Sequence, residues 1–169
     1  MSIDDLIRSD IIDIKNADWN IRKGSVVPST SSVALSNGAV ELETTYIYAD
    51  LANSSRMARH FDRRVTAKIL KSFLAVSARL IRNRNGKVMS FDGDRVMGAF
   101  VGTSKNTDAV KCAFAISYAV TRLIRPQFEA KYDTVKNADF RIGHATGIDT
   151  GTTFIVRAGV SDVSAYGSK

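Results

Sequence analysis

The chain has 169 residues, 44% of them hydrophobic and 24% charged, a balance that supports one folded domain with a real core and excludes an intrinsically disordered chain. Its formal net charge of +7 favours an anionic partner (a nucleotide, a nucleic acid or an acidic surface) without choosing among them. No apolar run reaches the length of a membrane span. The single cysteine, Cys112, cannot form an internal disulfide, so a reducing cytoplasm is the expected setting.

In chain order, Ile3, Leu6, Ile7, Ile11 and Ile14 have helical spacing, and residues 3–16 are expected to be a helix rather than a secretory signal. Residues 24–38 are rich in Ser, Thr, Gly and Val and read as an irregular arm, with Asn37-Gly38 as a hairpin signal. Residues 39–49 alternate and read as a strand ending at Asp50. The small and capping residues Ala52, Asn53, Ser54 and Ser55 then start a helix. Residues 65–82 place Ile69, Phe73, Val76 and Leu80 on one face of a long helix, which Asn83-Arg-Asn-Gly86 stops. Residues 87–91 and 94–101 are β-like, and Asp92-Gly93 between them is a two-residue turn sequence. A further helix spans residues 107–124, with Val110, Ala113, Ile116, Val120 and Leu123 inward and Pro126 at its end. Residues 140–146 and 152–160 read as two strands joined at residues 148–151. The expected architecture is α+β, with helices on one face of a sheet. Residues 1–41 are expected to form an N-terminal helix and arm, and residues 42–169 the main α+β domain.

Two acidic positions stand out. Asp50 ends one strand, and Asp94 follows the hairpin turn of another. Neighbouring carboxylates repel unless a cation neutralises them, and a divalent ion held that way at a sheet edge handles triphosphates. The small residues after Asp50 leave amide N–H groups free to face a phosphate. The simpler reading is that Asp50 caps a helix and Asp92-Gly93-Asp94 only turns. His60 and His144 lack metal-ligand spacing with Cys112, so no zinc site is expected. The basic run Arg56, Arg59, Arg63, Arg64, Lys68 and Lys71 reads as a solvated face. It carries no interleaved aromatics for stacking bases, so no nucleic-acid partner is expected.

The strings Asp50-Leu-Ala-Asn-Ser-Ser55, Phe91-Asp-Gly-Asp-Arg-Val-Met-Gly-Ala-Phe100 and Arg141-Ile-Gly-His-Ala-Thr-Gly-Ile-Asp-Thr-Gly151 resemble, in order and spacing, the motifs of class III nucleotidyl cyclases. They are most similar to those of the bacterial pyrimidine cyclases of Pycsar anti-phage systems. The resemblance covers about residues 42–160. It implies a ferredoxin-like, antiparallel-rich catalytic fold. It also implies two Mn²⁺ or Mg²⁺ ions per site, held by Asp50, Asp94 and the Leu51 carbonyl. Amides of Ala52, Asn53, Ser54 and Ser55 would cradle the triphosphate, and Arg95 either serves the phosphates or points outward. It further implies a homodimer with shared active sites and a downstream effector activated by the cyclic nucleotide in antiviral defence.

Two departures qualify the pattern. Where adenylyl cyclases carry a base-reading lysine, this chain has Ser90, and the bulky Tyr48 would shorten a base slot. That shortening holds if Tyr48 faces the pocket rather than the core or a helix; the resemblance implies UTP as the favoured substrate, with CTP next. The C-terminal stretch is short by family standards. Ala165 stands where Asn is usual, and Lys169 is the candidate transition-state cation. The competing readings are an adenylate or guanylate cyclase of ordinary signalling and a cyclase-like nucleotide-binding module without turnover.

Overall fold

The structure is a computed structural model that describes residues 2–159. The described residues form two compact units: residues 2–43 together with 152–159, and residues 44–151. The candidate site residues that can be placed all belong to the second unit.

In the first unit, α1 (Ile3–Asn16) opens with a reciprocal cap in which the Ser2 hydroxyl accepts from Asp5 N–H and the Asp5 carboxylate accepts from Ser2 N–H. Its apolar stripe is exposed, with no buried residue. Strand β1 (Asn20–Lys23) pairs in parallel with the start of β2 (Gly38–Ala52), Asn20 opposite Gly38. The hairpin expected at Asn37-Gly38 is therefore absent. A parallel pair cannot be closed by a two-residue turn, and the chain instead returns through a 3₁₀ turn at Thr30–Ser32. Trp19 and Phe154 meet edge to face at 5.5 Å, and Thr152 donates to the Glu43 carboxylate.

The second unit is built on the rest of β2. It pairs antiparallel with β4 (Arg95–Phe100), which pairs antiparallel with β3 (Lys87–Asp92). On the other side of β2 lies β5 (Gly143–Val156). The Thr45 and Thr150 hydroxyls lie 2.8 Å apart, while a Cβ on Gly143 would lie 3.7 Å from that of Ala52, so the strands run in opposite directions. The two strands expected over residues 140–160 are one. The Thr45 hydroxyl donates to Asn106 Oδ1 at 2.6 Å and the Thr150 hydroxyl does so at 3.0 Å. These bonds hold β5 straight where a turn was expected.

Alternation along β2 sorts its two faces. Ile47, Ala49 and Leu51 are buried against helices, together with Val96 and Phe100 of β4. The covering helices are α2 (Ser54–His60), α3 (Arg63–Asn83) and α4 (Lys105–Tyr118). Ile69, Phe73 and Ile81 of α3 and Cys112 and Ile116 of α4 complete this core. Burying a side chain such as Phe73 contributes about 1.5–3 kcal/mol each. Of the expected inward face, Ile116 and Val120 are buried and Ala113 packs against the core, while Val110 and Leu123 are 44% and 47% exposed and Ala109 and Cys112 are buried in their place. Part of the cause lies downstream. The helix continues past Tyr118 as a π-helical segment, Ala119–Ile124, and then as α5 (Arg125–Lys131). The wider turn shifts the angular position of Leu123. Pro126 does not end the helix: the backbone stays helical through Ile124 and Arg125, and the π-helical segment before it takes up the missing N–H bond as a local irregularity. A short helix, α6 (Asp133–Lys136), leads to β5.

Helix α3 crosses the sheet close to Gly98, where an added Cβ would come within 2.9 Å of Ile81 Cγ2 and 3.0 Å of Ile47 Cγ2. Gly98→Ala is expected to lower stability by about 1–3 kcal/mol, read from urea unfolding midpoints. Gly147→Ala, where nothing lies within 4 Å of an added Cβ, is expected to change it far less. Equal effects would show that α3 does not press on β4 at this point.

Candidate active site

The register of β2, β4 and β3 assembles the site. Asp50 is directly opposite Arg95, and Arg95 is opposite Asp92, so these three share one row on the face away from the helices. The next row is Tyr48, Met97 and Ser90. Ser90 reaches this row through an irregularity in β3: Val88 is opposite Gly98, Ser90 is opposite Met97, and Met89 is extra. Without that bulge Ser90 would face the helices. Tyr48 and Ser90 are two strands apart, about 10 Å at sheet spacing, with Met97 between them. Met97 and Asp92 are thus members of the constellation that sequence reasoning missed. Only cross-strand register reveals them.

Asp94 lies in the turn itself, one position from the expectation. Asp92 and Arg95 pair as the last strand residues, leaving Gly93 and Asp94 as the two-residue loop. Gly93 has φ +60° and is the first loop residue, as a type II′-like turn requires. The Asp94 carbonyl accepts from Leu51 N–H at 3.1 Å, tying the turn to the end of β2 one residue beyond Asp50.

The carboxylates feel each other. Asp50 is held above its usual carboxylate range, first by partial burial and then by the charge of Asp94, with Arg95 opposing both. Arg95 Nε lies 3.9 Å from Asp50 Oδ1, and its Nη2 donates to Asp92 at 2.8 Å, so the guanidinium bridges the row. A carboxylate made harder to ionise by its neighbour is chemically matched to a divalent cation. Among the described residues no group of three or more His, Cys, Asp or Glu forms a self-sufficient metal cage. Two carboxylates with the remaining positions left to substrate phosphates suit Mg²⁺ or Mn²⁺, and the residues fit those ions.

After Asp50 the chain turns sharply. Asn53 adopts φ +63° and its carbonyl accepts from Arg56 and Met57 N–H, starting α2 at Ser54. The left-handed conformation suits Asn or Gly and disfavours other residues. Ala52 and Ser54 are half-buried, while Asn53 in the turn and Ser55 in the first turn of α2 are exposed. Arg56 is taken up elsewhere, paired with Asp139 and 4.7 Å above the Phe140 ring. Burial pushes the His144 imidazole below its ordinary range, and its Nδ1 lies 3.0 Å from the Thr146 hydroxyl. Burial pushes the Cys112 thiol up to about 11, which makes it an inert core residue. Lys169 lies outside the described residues.

This arrangement is the fold of class III nucleotidyl cyclase catalytic domains. The chain aligns with an adenylyl cyclase from P. aeruginosa at a TM-score of 0.60 and 17% identity, over 69% of this chain and 59% of that one. A class III adenylyl cyclase-like ATP-binding protein from Pseudomonas aeruginosa gives 0.66 and 17%, over 88% and 32%. No family model matches the sequence. Curated relatives do. The chain is 66% identical over 168 residues to a uridylate cyclase of Rhodovulum sp. (strain MB263), covering 99% of this chain and 68% of the relative. It is 36% identical over 160 residues to a uridylate cyclase of Xanthomonas perforans, covering 94% and 68%. The chain belongs to the uridylate cyclase family.

Crowding of Asp50 has a thermodynamic consequence. A carboxyl whose folded pKa is raised costs the folded state stability once it ionises, and nothing while both states are protonated. In metal-free buffer Asp50→Asn is therefore expected to raise the thermal midpoint at pH 7. The gain should shrink as pH falls toward and below the ordinary Asp value of 3.8. Mn²⁺ is expected to raise the midpoint of the unaltered protein and not of the variant. A lower midpoint for the variant at pH 7 would contradict the repulsion.

Proposed function

We propose that this chain cyclises UTP to 3′,5′-cyclic UMP and pyrophosphate, using divalent ions held by Asp50 and Asp94. The reading is supported by the backbone bond that ties Leu51, next to Asp50, to Asp94, and by the charge of Asp94 acting on Asp50, in a chain 66% identical to a uridylate cyclase. Mg²⁺ or Mn²⁺, when bound, supplies acidification of the ribose 3′-hydroxyl and neutralisation of triphosphate charge.

The chain's own residues do the rest. Asp50 and Asp94 hold the ions, with the Leu51 carbonyl as a further ligand. Amides of residues 52–55 bind the β- and γ-phosphates. The 3′-hydroxyl gives its proton to solvent, its oxygen forms a bond to the α-phosphorus, the bond from that phosphorus to the bridging oxygen breaks, and pyrophosphate leaves. Arg95 is already electrostatically engaged with Asp50, and it is placed to exchange that contact for a phosphate oxygen once Asp50 is occupied. Tyr48, 40% exposed on the open sheet face, and Ser90 in the same row are the pyrimidine-side candidates. Ser90 offers a hydroxyl where a lysine would address a purine.

The open face leaves the base and transition-state side to be supplied from elsewhere. We assign that side to a second copy of the chain in a homodimer, with Lys169 as the candidate cation. Among the described residues no helix is long and apolar enough to cross a membrane. A cytoplasmic enzyme whose cyclic nucleotide activates an antiviral effector is consistent with this reading, with CTP as the second candidate substrate.

Incubation with each of the four ribonucleoside triphosphates and Mn²⁺, followed by product separation, is expected to yield cyclic UMP as the main product. Asp50→Asn and Asp94→Asn are each expected to reduce turnover at least 100-fold while leaving circular dichroism unchanged. Cyclic AMP or cyclic GMP as the main product would overturn the pyrimidine assignment. No cyclic product at all would favour a binding module.

A further inference from the structure

Helices α3 and α5 flank an open groove of about 470 Å³ that contains no residue of the candidate active site. That volume lies within the usual range for small-molecule sites, about 300–1,000 Å³. Lys68 and Lys71 approach it from α3, and Gln127, Phe128 and Lys131 from α5, with Tyr132 directly after. The rings of Phe128 and Tyr132 are stacked, with centroids 6.0 Å apart and planes at 23°, which gives the groove an aromatic wall. Lys68 Nζ donates to the Tyr132 hydroxyl at 3.3 Å, and Lys131 Nζ lies 5.9 Å from the centre of the same ring.

The charge balance of the groove is one-sided. Among the described residues, none of the three lysines is ion-paired with a carboxylate, and the one acidic residue of α5, Glu129, is engaged by Arg141. Three ammonium groups around one concavity repel one another, and an anion entering it relieves that repulsion. The aromatic wall adds a preference for a flat ring over a bare ion, through stacking and the apolar area it covers. Gln127 supplies both a donor and an acceptor for a ring edge. The sequence describes this helix face only as a basic run. The second half of the site comes from residues 127–132, which continued helix beyond Pro126 brings alongside α3.

We propose that the α3–α5 groove is a second ligand site, separate from the catalytic one, for a small planar anion of nucleoside monophosphate size. The anionic group sits among Lys68, Lys71 and Lys131, and the ring lies against Phe128 and Tyr132. Affinity is expected to fall with salt, because the charged contacts are solvent-exposed.

The test is amide NMR of the full chain in EDTA, with adenosine 5′-monophosphate as the probe and inorganic phosphate as its control. The expected result is shifts confined to residues 68–75 and 127–132, with phosphate binding at least tenfold more weakly than the nucleotide. The double variant Lys71→Gln/Lys131→Gln is expected to bind the nucleotide at least tenfold more weakly with an otherwise unchanged spectrum. Shifts centred on Asp50 and Asp94, unchanged affinity in the double variant, or equal binding of bare phosphate would each overturn the proposal. So would salt-sensitive retention of a single-stranded RNA that the double variant abolishes, without any nucleotide-induced shift. That outcome would make the groove a polynucleotide contact.

Discussion

The antiparallel pairing of β2 with β4 is the constraint on which the candidate site depends. Its register puts Asp50 opposite Arg95 and joins Leu51 N–H to the Asp94 carbonyl at 3.1 Å. Because side chains alternate along a strand, the same register that buries Ile47, Ala49 and Leu51 presents Tyr48 and Asp50 on the other face. Core and site are therefore specified together. A slip of one residue would bury Asp50 and expose Leu51.

Electrostatic tension sits on top of that framework. Asp50 is partly desolvated and faces Asp94, an arrangement that works against the folded state and suits a cation. Arg95 offsets part of this by spanning Asp50 and Asp92. Such exposed pairs are individually weak, so the guanidinium acts as a replaceable counter-charge rather than as a structural strut. Other ionisable groups show a contrast: Arg56 is committed to Asp139 and Phe140, and burial pushes the Cys112 thiol up and the His144 imidazole down from their ordinary ranges.

Much of this was legible in the residues. The long helix α3, the turn near Gly93, the strand leading to Asp50 and the helix that follows it all carry strong local signals, and the structure has them. The misreadings share a cause. Asn37-Gly38 looked like a hairpin, residues 148–151 looked like a turn and Pro126 looked like a stop, and each was overruled by a partner distant in sequence or by the helix around it. Parallel pairing to β1 displaced the first, Asn106 and Thr45 straightened the second, and a π-helical segment carried the chain through the third.

The sequence by itself determined the long helix α3, the strand that carries Asp50, the β3–β4 hairpin beside Asp94, and the absence of a lysine at Ser90. All of these follow from local propensity, periodicity and residue identity. Tertiary structure alone decided that Met97 separates Tyr48 from Ser90, that a bulge at Met89 turns Ser90 to the open face, that Arg95 bridges two acids, and that lysines from α3 and α5 share a groove. Each depends on which strands and helices lie side by side. Those neighbours are chosen by burial of the whole core, which no short window of sequence contains.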